Sequence, residues 1–564
     1  MQKKRILAAV MSLCMVAGAV SYGAPVISNT ITAQAETCAE GCYSFDVLTG
    51  TLTLMDEVNG DAIRDFIFKE NVKTIVASEG TILPEDCRNL FYNYINCTSI
   101  DLSKADTINV VRMENMFACC SSLTSLDISG FDTSNVETMY FMFAECSSLA
   151  SLDVSGFDTS NVISMCGMFD GCSSLTSLDV GRFDTSKVEN MCSMFEGCSS
   201  LTSLDVSGFD TSKVEDMGGM FENCSSLTAL DVSGFDTSKV TAMYDMFYGC
   251  SNLTSLDLSR FDTSKVRFME DMFRDCSSLT ELDLSSFDTS NVYTNIFVSA
   301  DGVSVYGMNG MFAGCSNLTA LDLSNFDTGN VTNFSDMFRD CSSLTELDLS
   351  SFDTSKIYPD FYTYLWENSL GISGYSMNGM FAGCSNLNSL DLRSFDTSNI
   401  IDFTDMFSDC NELRYIILGE NFKNVPEEAH LINGDDWVKV GDLAKTSSGD
   451  GEYAIIENEG SNEYVRFVYK YEPTYPTNIK VEYSKEYHQV RFTWDKVEGA
   501  DRYGIAVYLA GKWRVQTQTL TNTTYTSPKN LTPGKSYRVA IAARVNGKWD
   551  TANAIKHSGT VTIK

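Results

Sequence analysis

Residues 194–212 read Met-Phe-Glu-Gly-Cys-Ser-Ser-Leu-Thr-Ser-Leu-Asp-Val-Ser-Gly-Phe-Asp-Thr-Ser, and nearly the same stretch recurs along most of the chain. Its cysteine returns every 26 residues, at Cys120, Cys146, Cys172, Cys198, Cys224, Cys250 and Cys276. A fixed period of this length indicates a solenoid, in which each coil buries its apolar face by stacking on its neighbours. A solenoid presents a long regular surface without an obvious reaction pocket, so the pattern favours binding over catalysis.

Within one coil, the apolar residues predict a strand followed by a short helix. The first group follows the Leu-x-x-Leu-x-Leu pattern of a strand: Leu201, Leu204 and Val206. The second group is spaced by three and four, which favours one or two helical turns: Val214, Met217, Met220 and Phe221. The residues between them, 209–212, predict a turn, because Asp, Ser and Thr bond their own backbone. We therefore expect an α/β leucine-rich-repeat solenoid.

Two insertions break the period at the same place in the repeat. They fall near 292–307 and 357–376. Each lies between a Phe-Asp-Thr-Ser turn and a Met-Asn-Gly-Met-Phe stretch. Both are rich in aromatic side chains, namely Tyr293, Phe297 and Tyr306 in the first and Tyr358, Phe361, Tyr362, Tyr364, Trp366 and Tyr375 in the second. Insertions at matched repeat positions share one face, and Tyr and Trp are frequent interface anchors. These residues are the predicted ligand site; the alternative is that the rings pack on one another as a small core.

The repeat resembles the BspA-type leucine-rich-repeat surface proteins of bacteria. The motif that carries the resemblance is Met-Phe-x-x-Cys-Ser-Ser-Leu-Thr-Ser-Leu-Asp-Val-Ser-x-Phe-Asp-Thr-Ser, which appears in full at residues 194–212. The resemblance implies a secreted or surface-displayed protein of a host-associated bacterium. It also implies adhesion to a host or microbial protein or glycan.

The remaining segments predict an exported protein of several parts. Residues 1–35 have the basic start, apolar stretch and small-residue cleavage site of a signal peptide, and no second hydrophobic span follows. An N-terminal cap is expected over 36–89, the solenoid over 90–412, a C-terminal cap over 413–471 and a linker over 472–477. Residues 478–564 alternate like an all-β, immunoglobulin-like sandwich. Their Leu-Thr-Pro-Gly-Lys-Ser-Tyr stretch, 531–537, resembles a fibronectin type III domain.

Most of the 19 cysteines are expected to be free. Twelve occupy one repeat position from Cys97 to Cys410, where cysteine packs as a small buried hydrophobe and parallel side chains suit a disulfide poorly. Cys38 and Cys42 lie off the repeat and are the candidate disulfide. Cys166 and Cys192 share a second register, 26 residues apart, so a bridge between adjacent coils stays open there.

The charge is unevenly shared between the two parts of the chain. The net charge is −35, yet residues 478–564 carry 14 Lys and Arg against 6 Asp and Glu. The acidic remainder disfavours nucleic acid as a partner, since phosphates need basic side chains. The basic C-terminal domain suits an anionic wall polymer. The alternative function is therefore a structural or wall-associated spacer held through residues 478–564.

No cofactor, metal site or enzymatic activity is predicted. The Asp row that includes Asp205 lacks the glycine-rich nonapeptide of calcium-loaded rolls, and the row that includes Asp210 suits local Asx-turns. The three histidines, His430, His488 and His557, lie outside the solenoid, so the repeats supply no Cys-His or Ser-His pair.

Overall fold

The 26-residue period becomes one coil of a solenoid in the computed structural model of the chain. The structure describes residues 42–564 apart from 294, 300–301, 332, 356–376, 399, 401, 435, 447–450, 467–474, 498 and 546. The chain divides into two units between Arg466 and Phe467. The predicted signal peptide and Cys38 lie outside the described residues.

A ladder of phenylalanine rings runs through the core of the first unit. The rings stack with centroids 5.6–5.9 Å apart and include Phe91, Phe117, Phe143, Phe169, Phe195, Phe221, Phe247, Phe273, Phe312, Phe338, Phe381 and Phe407. All of these rings are buried, and removing such a side chain from a core costs about 3–5 kcal/mol. The ladder continues across both insertions, from Phe273 to Phe312 and from Phe338 to Phe381. Both insertions therefore leave the stacking of the coils intact.

Buried threonines join neighbouring coils at the turn. Thr211 Oγ1 donates to the Asp236 carbonyl at 3.0 Å and accepts from the Asp236 N–H at 2.7 Å. The same reciprocal pair begins at Thr107 and recurs as far as Thr354. The Asp210 carboxylate accepts from the Ser212 N–H at 3.0 Å, which confirms the predicted Asx-turn. The Phe-Asp-Thr-Ser motif thus satisfies its own backbone and that of the next coil.

The short helix predicted in each coil is wrong, and with it the α/β class of the solenoid. In the Met-x-x-Met-Phe segment, alternate N–H groups bond the next coil, as Gly219 bonds Tyr244 at 2.8 Å and Phe221 bonds Met246 at 3.0 Å. The N–H groups between them close tight turns, as Glu222 bonds the Gly219 carbonyl at 3.0 Å. An α-helix would instead direct each N–H to the carbonyl four residues earlier. Helix accounts for 3% of the structure, and the first unit is a β-solenoid.

Left-handed backbone at two positions per coil explains this correction. The two residues of each pair lie four positions apart. The first pair is Asn89 and Asn93 and the last is Asp405 and Asp409, and 20 of the 24 residues in these pairs are Gly, Asn or Asp. These residue types adopt positive φ most readily. Spacings of three and four among the apolar residues fit a helix and this turn ladder equally well. The Gly, Asn and Asp pairs were the sequence signal that distinguishes the two.

The N-terminal end of the solenoid is a five-stranded sheet. Its order is β1-β2-β3-β4-β5, with a β1–β2 hairpin followed by parallel neighbours: β1 Tyr43–Asp46, β2 Thr51–Leu54, β3 Thr74–Ala77, β4 Ser99–Asp101 and β5 Ser125–Asp127. Helix α1, Gly60–Arg64, is capped by the Asn59 side chain, and a 3₁₀ turn covers Lys69–Asn71. Outside this sheet, single parallel bridges 26 residues apart link successive coils from Arg112 to Phe268.

The first insertion is a β-hairpin, and the solenoid then ends in a second sheet. The hairpin pairs β6, Asn295–Ser299, with β7, Gly302–Tyr306. The six-stranded sheet has the order β13-β12-β15-β10-β9-β8. Its strands, and the separate pair β11–β14, are β8 Glu346–Asp348, β9 Ser389–Leu392, β10 Tyr415–Leu418, β11 Asn424–Val425, β12 Trp437–Lys439, β13 Asp442–Thr446, β14 Ile456–Glu457 and β15 Asn462–Arg466. A 3₁₀ turn covers Glu427–Ala429, and Trp437 is fully buried beneath this end.

The second unit consists of two antiparallel sheets around one core. One sheet has the order β16-β17-β20; the other has the order β19-β18-β21-β22, with β23 also paired to β21. The elements are β16 Lys480–Ser484, β17 Gln489–Thr493, β18 Ala500–Leu509, β19 Lys512–Leu520, β20 Thr524–Thr526, β21 Ser536–Val545, β22 Lys548–Trp549, α2 Thr551–Lys556 and β23 Gly559–Thr562. Trp494 is buried there.

Replacing Gly219 by alanine tests the turn ladder directly. Because Gly219 has φ +62°, we expect Gly219→Ala to lower the free energy of unfolding by about 1–2 kcal/mol. In a helix the same change would raise it by about 1 kcal/mol. Gly234→Ala is the control, since its added Cβ would lie 3.6 Å from the Ser207 carbonyl in ordinary contact. Urea denaturation followed by circular dichroism measures both, and a stabilised Gly219→Ala would contradict the ladder.

Candidate binding surfaces

A groove crosses four consecutive coils on the Leu-x-Leu face of the solenoid. It has a volume of about 730 Å³, and Leu256, Leu282 and Leu321 line it, each 8% exposed. Among the described residues between β5 and β8, the Leu-x-Leu segments are not joined into a sheet, so the groove crosses stacked coils without regular strand pairing.

Exposed carboxylates border this groove. They come from two columns of the repeat: Glu281 and Glu346, and Asp257, Asp283, Asp322 and Asp348. Each of these aspartates accepts the N–H of the serine two residues on, as Asp283 does from Ser285 at 3.0 Å. This hydrogen bond lowers the pKa of Asp283 below its usual value. The groove is consequently anionic at neutral pH. The outward Asp row was foreseen from the sequence, whereas the groove between its members was not.

The described residues include three of the aromatic residues of the two insertions. Tyr293 is 37% exposed, and its ring lies 5.7 Å from that of Phe268 in the preceding coil. Phe297 and Tyr306 lie in β6 and β7. The second-insertion residues lie outside the described ranges: Tyr358, Phe361, Tyr362, Tyr364, Trp366 and Tyr375. The predicted aromatic site therefore stays a prediction.

The repeat cysteines are buried free thiols, as predicted. Cys224 Sγ donates to the Phe195 carbonyl at 3.1 Å, and equivalent bonds recur from Cys120 to Cys410. Burial raises the pKa of Cys198 to about 12, so this thiol stays protonated and unreactive. Cys166 and Cys192 form a disulfide between adjacent coils, with their Cα atoms 4.7 Å apart. Cys42 is buried, and the proposed Cys38–Cys42 bridge lies partly outside the described residues.

Sequence reasoning missed a row of partly buried acids on the Met-Phe face. Burial is the main cause that raises the pKa of Asp170 and Asp245 to about 7 and the pKa of Glu222 and Glu270 to about 8; mutual repulsion adds to it. Glu270 is only 4% exposed. Arg274 forms an ion pair with Asp271 at 2.9 Å at one end of the row. The signal available in the sequence was the acidic column Asp170, Glu196 and Glu222, spaced by 26 residues.

The second unit carries an aromatic and basic patch on one sheet. Tyr508 pairs across the strands with both Trp513 and Arg538, so these three side chains share a face. The Tyr508 and Trp513 ring centroids are 5.3 Å apart, and the Arg538 guanidinium lies 5.8 Å from the Trp513 centroid. Tyr508 is 42% exposed and the neighbouring Val515 57%. A flat exposed ring beside a cation suits a sugar that carries negative charge.

The described residues contain neither a metal-binding cluster nor a helix that could span a membrane. Within the described residues, no group of three or more His, Cys, Asp or Glu side chains is placed to hold a metal ion. No helix in the same ranges is long and apolar enough to cross a membrane.

Comparison with known proteins identifies a family and matches among solved structures. A family model described as "Mycoplasma protein of unknown function, DUF285" matches residues 85–204, 146–232, 193–304, 295–364 and 365–438, together more than half of the chain. Curated proteins give no match. The crystal structure of a Fn3-like protein from Clostridium thermocellum is 22% identical, with a TM-score of 0.13, and the match covers 14% of this chain and 82% of that one.

The partly buried acidic row predicts a solenoid that is more stable in mild acid than in base. A carboxyl group whose pKa is raised on folding contributes stability below its unfolded pKa of about 4, and loses it as the pH rises through its folded pKa. The free energy of unfolding should therefore fall between about pH 4 and pH 8, the range set by Asp170, Glu222, Asp245 and Glu270.

Glu270→Gln mimics the protonated acid and should weaken this pH dependence. We expect it to stabilise the protein at pH 9 by on the order of 2 kcal/mol and to change little at pH 5. Glu189→Gln, at an exposed position, is the control. Urea denaturation at both pH values measures the effect; equal shifts for the two variants would contradict the assignment.

Proposed function

This chain belongs to the DUF285 family, for which no function is described, and we propose that it is an exported bacterial binding protein. Its partner is an extracellular protein, of a host or of another microbe, that presents a basic extended segment. The BspA-type repeat resemblance and the signal-like residues 1–35 support export and adhesion. The observation that carries the proposal is the anionic groove on the Leu-x-Leu face.

The groove has the features that a peptide-binding surface needs. Its leucines offer apolar contact, and its six carboxylates offer hydrogen-bond acceptors and select positive charge. The four coils that build it follow one another in the stack, so the same groups recur along the groove at a regular spacing. A partner with alternating basic and apolar residues would match that regularity.

The insertions support the same function from a neighbouring part of the coil. The β6–β7 hairpin leaves the coil between the threonine turn and the Met-Phe segment. Hairpins at such a position extend the surface without disturbing the Phe ladder. We therefore propose that the aromatic residues of both insertions form a second contact with the partner. The classes of partner then include glycans as well as proteins. No step of this function requires enzymatic chemistry.

Neutralising the groove tests the main proposal. The mature protein is tested on an array of extracellular-matrix proteins, mucins and polysaccharides, and the selected partner is then titrated. The double variant Asp283→Asn, Glu281→Gln should bind that partner roughly tenfold more weakly, with a flatter salt dependence. The double variant Glu189→Gln, Glu215→Gln removes the same charge elsewhere and should bind normally. A variant that lacks residues 294–307 reports on the hairpin separately, and unchanged binding by the groove variant would refute the proposal.

A second function, attachment to an anionic wall polysaccharide, is favoured by the patch of Tyr508, Trp513 and Arg538. In this alternative, the second unit is a fibronectin type III-like domain that holds the protein to the cell while the solenoid acts as a spacer. The basic excess of residues 478–564 supports an anionic partner.

The patch can be tested on isolated cell walls. Trp513→Ala and Arg538→Gln should each reduce sedimentation of the protein with cell walls at least several-fold, since stacking and charge are both lost. Tyr487→Ala and Lys480→Gln are matched controls, because both residues are exposed and lie outside the patch. Wild-type sedimentation by the two patch variants would exclude this alternative.

A further inference from the structure

The core of the second unit contains a cavity between its two sheets. The cavity has a volume of about 280 Å³ and a mainly apolar lining that draws on both sheets. Phe492 contributes from β17, Ile505 and Val507 from β18, and Val539 from β21. Packed β-sandwiches normally fill this space with interdigitating side chains.

The strand arrangement explains why the space is open. Strand β20 has three residues and lies at the edge of its sheet, as β19 lies at the edge of the other. Residues beside both edges line the cavity: Gln516 from β19, and Tyr525 and Ser527 from or just after β20. Gln516 is exposed, so the mouth of the cavity lies at this seam. A ligand could enter there without unfolding either sheet.

The size and lining define the class of ligand. An apolar cavity of about 150 Å³ binds benzene, and small-molecule pockets begin near 300 Å³. At about 30 Å³ for a water-sized group, the space suits roughly nine heavy atoms. The interior offers apolar side chains, whereas Gln516 at the mouth offers an amide. The geometry points to a medium-chain aliphatic molecule with its chain between the sheets and one hydrogen-bonding end group at Gln516.

This site is separate from both surfaces proposed above. Val507 lines the cavity, whereas Val515, on the paired strand β19, is exposed and lies opposite Ala506 in the register, on the other face of the sheet. The two valines therefore provide a matched pair of substitutions. Val507→Trp should fill the cavity, and Val515→Trp should leave it empty.

The test is ligand-observed NMR on the full chain with 1-octanol and, separately, octanoate. The wild type should bind one or both saturably, with a Kd on the order of 1 mM for so small a ligand. Val507→Trp should bind at least tenfold more weakly, and Val515→Trp should bind like the wild type. Comparison of the alcohol with the acid identifies the end group that the mouth accepts.

A second variant keeps the test decisive if Val507→Trp does not fold. Leu509→Trp alters a half-buried lining residue of the same cavity and should also weaken binding. Circular dichroism establishes that each variant is folded. The proposal is overturned if the wild type shows no saturable binding of either compound, or if a folded cavity variant binds both as the wild type does.

Discussion

Stacking of the coils at a constant 26-residue offset is the constraint on which the first unit depends. It places each Phe ring on the ring before it and each buried Thr hydroxyl against the next Asp backbone. It also lets alternate N–H groups of the Met-Phe segment bond the neighbouring coil. Inserting or deleting one residue within the packed part of a coil would break the Phe stacking, the Thr–Asp pairs and the backbone bonds together. The repeat therefore tolerates changes in length at few places. Both insertions enter where the chain passes between two ladders.

The same stacking determines the surface. Each exposed repeat position becomes a column, so one acidic residue per coil becomes a line of charge. On the Leu-x-Leu face these charges stay in solvent, hydrogen-bonded by serine, and ionised. On the Met-Phe face the acids are partly buried beside one another, which raises the pKa of Asp170, Glu222 and Asp245. The acids on the two faces therefore differ in protonation at neutral pH.

The second unit has a different physical basis. Its two sheets share one core, built on Trp494, Ile505 and Ile541. It carries an excess of basic residues, whereas the rest of the chain is acidic. Exposed aromatic residues and an unfilled space between the sheets give it two chemically distinct features. The groove of the solenoid is instead the surface proposed for an extended protein segment. The chain therefore combines surfaces of opposite charge.

The sequence by itself determined the solenoid, its coil length, the buried free cysteines and the Asx-turns, because a strict repeat converts one local pattern into a column. Its apolar spacings of three and four suit a helix and a turn ladder alike, so the only signal against a helix in the Met-Phe segment was the recurring pairs of Gly, Asn and Asp. Only the tertiary structure decided that alternate N–H groups of this segment bond the next coil. It also decided that Cys166 and Cys192 pair and that a groove opens beside Leu282. These features depend on distances between coils, which residue order along one coil does not contain.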